Sequence, residues 1–89
     1  MQDTTNADRA EWALDALADF VAATRVDTAR DAVADLIANL LHLARGRGLD
    51  VDLLLDQTGR LMAEEFAQDP EGNMTAVQAR FRELLPDDR

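Results

Sequence analysis

Carboxylates recur at four-residue steps along this chain. Glu11, Asp15 and Asp19 form one series, Asp27, Asp31 and Asp35 a second, and Asp52 and Asp56 a third. On an α-helix residues four apart share a face, so each series is a negative stripe. Ordered carboxylates suit three kinds of chemistry: holding a hard cation, meeting a basic surface, or keeping a helix solvated. Imitation of duplex DNA demands more. One stripe carries a charge per ~6 Å of helix, against one per ~1.7 Å in the duplex, so several stripes would have to face one way.

Two clusters stand out within the stripes. Asp8, Glu11, Asp15 and Asp19 surround Trp12, an aromatic anchor in an acidic rim. That composition marks a protein-binding surface and selects a partner with an apolar pocket ringed by Arg or Lys. The competing expectation for Trp12 is that it extends the core edge, covered by the C-terminal helix or a second subunit. Asp31, Asp35, Asn39 and His42 share about 80° of one helix face, where oxygen ligands hold Mg²⁺ if a further element adds carboxylates. Nucleophilic catalysis has no support, since the chain contains neither Cys nor Ser and its one His has no nucleophile to activate. Gly46-Arg47-Gly48 follows a helix and does not join a strand to one, so it is no phosphate cradle.

The 89 residues make one domain, 1–89, with 18 acidic residues against 9 arginines, no lysine and a net charge of −9. Scattered, outnumbered arginines argue against direct binding to nucleic acid or to an anionic membrane. No apolar run reaches the ~18 residues of a membrane span, and the polar N-terminus is unlike a signal peptide, so the expected location is cytoplasmic.

Apolar periodicity predicts an all-α fold: a small bundle of three main helices plus a short C-terminal one. The first helix runs from Asp8, with Asn6 or Asp8 as its cap, to about Thr24, and residues 1–7 and 86–89 are expected to fray. Weak helix formers at 24–28 predict a break before a second helix, Thr28 to Arg45, with one long bent helix as the alternative because no Gly or Pro enforces the break. The apolar set of that helix, Val33 to Ala44, covers about 160° of the wheel and is expected to touch more than one neighbour. Two glycines end it and turn the chain into a third helix capped by Asp50, making an antiparallel hairpin. Val51, Leu54, Leu55, Thr58, Leu61, Met62 and Phe66 are expected to be the buried face of that third helix. Thr75 to Gln78 read as a capping box opening the last helix. A core this small is commonly supplemented by a second copy, so a homodimer is expected.

The stretch at 31–52, DAVADLIANLLHLARGRGLDVD, resembles the second half of the all-α, MazG-type nucleoside triphosphate pyrophosphohydrolases, and the resemblance extends over roughly 31–66. In that family an acidic pair leads an apolar helix that ends in a Gly-Ile/Leu-Asp turn. The resemblance implies Mg²⁺ as cofactor and nucleotides as substrate. The family's metal motif is Glu-Glu-x-x-Glu followed by Glu-x-x-Asp. Here the first helix has only Glu11, Asp15 and Asp19, and in the second half-motif only Asp35 matches, with Ala32 where Glu belongs. That departure points to a non-catalytic relative. The chain also resembles small helical proteins encoded by phages and plasmids. The leading expectation is therefore a non-enzymatic acidic protein without a cofactor, binding a basic protein surface. A phage-type inhibitor of a nucleic-acid-binding host-defence complex (an anti-CRISPR, for example) is its concrete form, and an oligomeric scaffold subunit a further alternative.

Overall fold

The computed structural model describes residues 4–86. Four helices follow in order: α1 (Asn6–Thr24), α2 (Ala29–Gly46), α3 (Val51–Gln68) and α4 (Thr75–Leu84). Among the described residues there is no strand, so the chain is all-α with three main helices and a short last one.

The local signals explain most boundaries. α1 is capped by Thr5, not by Asn6 or Asp8. Thr5 Oγ1 accepts from the Asp8 amide at 3.0 Å, and the Asp8 carboxylate accepts from the Thr5 amide at 3.1 Å. This reciprocal box satisfies two otherwise orphaned donors. Residues 4–7, expected to fray, are thus fixed, while 1–3 and 87–89 lie outside the described residues. α1 stops at Arg25, whose φ of 63° is left-handed, the one such non-glycine among the described residues. Its amide still donates to the Val21 carbonyl at 2.8 Å. Thr28 caps α2 and Asp50 caps α3, as their residue types dictate. α2 ends in a Schellman turn. Gly48 takes φ 81°, its amide donates to the Arg45 carbonyl, and the Leu49 amide donates to the Ala44 carbonyl, both at 3.0 Å. The last helix departs from expectation: its cap is Met74 with no side-chain cap bond, and Asn73 Oδ1 instead accepts from the Thr75 amide at 2.9 Å.

Packing is concentrated at one end. Leu14 and Leu17 of α1, Ala32 of α2, and Val77 and Leu85 from the last segment form the core. Ala32 is fully buried, and its small side chain lets α1 and α2 approach closely beside the 25–28 corner. From there the two helices diverge. α3 contributes no buried residue and makes few contacts with α2, so the hairpin expected of these two helices is splayed. The far end of α3 is drawn to the start of α1 by a polar clamp. Asn6 Nδ2 donates to the Glu65 and Asp69 carbonyls at 3.1 and 3.2 Å, and the Asn6 amide donates to Asp69 Oδ2 at 2.8 Å. Arg9 adds an ion pair with Glu65 at 3.3 Å and donates to Asn6 Oδ1 at 2.7 Å. A Cβ at Gly72 would sit 2.8 Å from Asp69 Oδ2, so a larger residue there would displace the carboxylate that accepts from the Asn6 amide.

The result is a frame of three helices, each ~27 Å long or slightly more, that meet near their ends. Its radius of gyration is 14.4 Å, against about 12 Å for a compact chain of this length.

Candidate interaction surface

The acidic stripe of α1 is divided in its roles. Asp8 is consumed by the capping box. Glu11 and Asp15, one turn apart, together receive Arg80 from α4. Its guanidinium lies 2.9 Å from Glu11 Oε1 and 3.1 Å from Asp15 Oδ1. The hydrogen bond to Asp15 chiefly, with the charges of both carboxylates, holds Arg80 above its ordinary pKa. Asp19 is exposed farther along the same side. Trp12 is 60% exposed. Within one chain it is therefore not covered by α4, although α4 packs on α1. It stands beside Glu11 and Asp15 with Arg80 across from them.

Asp31, Asp35, Asn39 and His42 are all exposed on α2. The Asp31 amide donates to Thr28 Oγ1 at 3.3 Å, an ordinary first-turn role. Among the described residues no group of three or more His, Cys, Asp or Glu side chains comes close enough to hold a metal ion. On the helical wheel these four lie on the side opposite Val33, Ile37 and Leu40.

That opposite side faces a concavity. Between diverging α1 and α2, with α4 as its floor, lies an open groove of about 360 Å³. Leu14 and Leu17, Val33, Ile37 and Leu40, and Phe81 form its walls, which carry almost no polar atoms. Among the described residues no ionisable group lines it, so it is suited to apolar side chains. The apolar side of α3 is equally uncovered: Leu55, Leu61, Met62 and Phe66 are exposed. These residues were expected to be buried, as were Val33, Ile37, Leu40 and Leu43 of α2. The clamp at Asn6 explains the difference, since it holds α3 across the frame and not along α2.

The sequence did not reveal the groove or the Asn6 and Arg80 links, because each depends on which helices meet, and the two links join residues 59 to 69 positions apart. One signal was present: the 160° apolar arc of α2 is too wide for a single neighbour.

Compared with protein-family models, curated proteins and solved structures, the chain matches none. The likeness to the MazG-type enzymes therefore stands on the residues quoted for it alone. No helix among the described residues is long and apolar enough to cross a membrane.

Proposed function

We propose that this chain is a non-enzymatic interaction protein of the cytoplasm, working as a homodimer whose acidic outer surface receives a basic protein site. The observation that carries the reading is the inversion of its surface: Ile37, Leu40, Met62 and Phe66 are each more than half exposed. Apolar helix faces left this exposed mark a contact with another protein. With those faces paired, the exterior left over is dominated by carboxylates, and Trp12 sits among them.

The basic partner is a nucleic-acid-binding protein in the most concrete form of the proposal, as a phage-type inhibitor of a host-defence complex would require. Such proteins present the clustered Lys and Arg that this exterior complements. Trp12 supplies the apolar anchor, Glu11, Asp15 and Asp19 the charged rim.

The test is a titration of an immobilised chain with a Lys/Arg-rich DNA-binding protein at rising ionic strength. Affinity falls steeply with salt, Asp15→Arg/Asp19→Arg abolishes binding, and Trp12→Ala weakens it about tenfold or more. Binding indifferent to salt and to both substitutions would remove the acidic surface from the account.

A further inference from the structure

We infer that the groove between α1, α2 and α4 is filled by α3 of a second copy, reciprocally, so that each chain supplies both the groove and the ridge. The inference rests on the homodimer proposed above and names the surfaces that make it.

The area left exposed sets the size of the occupant. The chain exposes 7056 Å². A compact monomer of 9.8 kDa exposes about 5,200 Å², so about 1,900 Å² is in excess. A foreign partner making an interface of ordinary size covers about 800 Å² of one chain, less than half of that. Obligate homodimers, like permanent hetero-complexes, cover about 1,000–2,500 Å² of each chain, and the excess falls within that range, so self-complementarity of the faces has to choose the second copy.

The faces are also self-complementary. Glu65 and Asp69, which reach α1, lie on the same side of the α3 wheel as Leu61, Met62 and Phe66. The apolar side of α3 therefore turns towards the interior of the frame. α2 presents Val33, Ile37 and Leu40 to the same interior through the groove. Yet α3 supplies none of the groove walls, so the two apolar faces of one chain stay apart. Leu55, Met62 and Phe66 make a ridge ~16 Å long, which matches the run of an apolar helix face laid into a groove. Charge points the same way. The groove has no carboxylate to attract a basic partner, whereas an apolar ridge needs none. The outward carboxylates of α1 and the back of α2 stay clear of such a contact, which keeps like charges of the two copies apart.

The chain has no native cysteine, so placed thiols report contacts without background. A chain carrying Ile37→Cys is mixed, after joint unfolding and refolding, with chains carrying Leu55→Cys, Met62→Cys or Phe66→Cys in turn. Three α3 positions are used so that a variant with lost helical circular dichroism does not decide the result. Mass in solution is measured on the same samples. At least one mixed pair is expected to form a disulfide-linked dimer more than tenfold above a control pairing with Asp35→Cys. A dimeric mass with every mixed pair at the control level would overturn the seating of α3 while leaving the homodimer in place. A monomeric mass would overturn both.

Discussion

Truncating Phe66 separates a paired chain from a solitary one. Phe66 is 64% exposed in the single chain. A phenylalanine of ~200 Å² thus has ~130 Å² available for burial, worth roughly 3 kcal/mol at ~25 cal/mol per Å². About half survives the costs of ordering an interface, and two copies are cut in each dimer. Phe66→Ala should therefore weaken the dimer by ~3 kcal/mol, a rise in Kd of about 100-fold. In a lone chain the same change removes mostly exposed surface and costs about 1 kcal/mol or less. Leu53 is the control: it is 65% exposed but lies about 150° round α3 from the centre of the apolar face. Urea unfolding at two protein concentrations reads the difference, because the midpoint of a dimer rises with concentration. The expected result is a concentration-dependent midpoint that Phe66→Ala lowers strongly and Leu53→Ala barely moves. Equal small effects of both substitutions, with a midpoint independent of concentration, would refute the reasoning.

The remaining predictions concern single residues. Asn6→Ala removes three side-chain hydrogen bonds of the clamp and should cost about 2 kcal/mol. Hydrogen exchange should show the loss at the last turn of α3 before it reaches α2. Arg25→Gly relieves the left-handed φ of 63° at the end of α1 and should raise stability by about 0.5–1 kcal/mol in thermal unfolding. Arg80→Ala frees Glu11 and Asp15 from their ion pairs, so a basic partner titrated against the chain should bind more tightly and with a steeper salt dependence.

What was legible in the sequence was local. The apolar period, Thr28 and Asp50 as caps, and the glycine pair after Arg45 each act within a few residues, and each gave its helix. At the start of α1, Thr5 won the cap over Asn6 because Asp8 stands three residues on and returns the bond. What was not legible depended on which helices meet. Periodicity identifies an apolar face without saying whether its neighbour belongs to the same chain. Leu61, Met62 and Phe66 read as core for that reason, and within the single chain they are left uncovered. The stripe on α1 was likewise visible as charge, but not its partial use by Arg80, which arrives from 65 to 69 residues away. Asp31, Asp35, Asn39 and His42 did share a helix face, and among the described residues no cluster of three or more ligating side chains forms there.

Sedimentation equilibrium of the unmodified chain across micromolar concentrations tests the central claim most directly. A species of twice the 9.8 kDa chain mass, dissociating only on dilution, is expected. A single-chain mass throughout that range, with helical content intact, would contradict it.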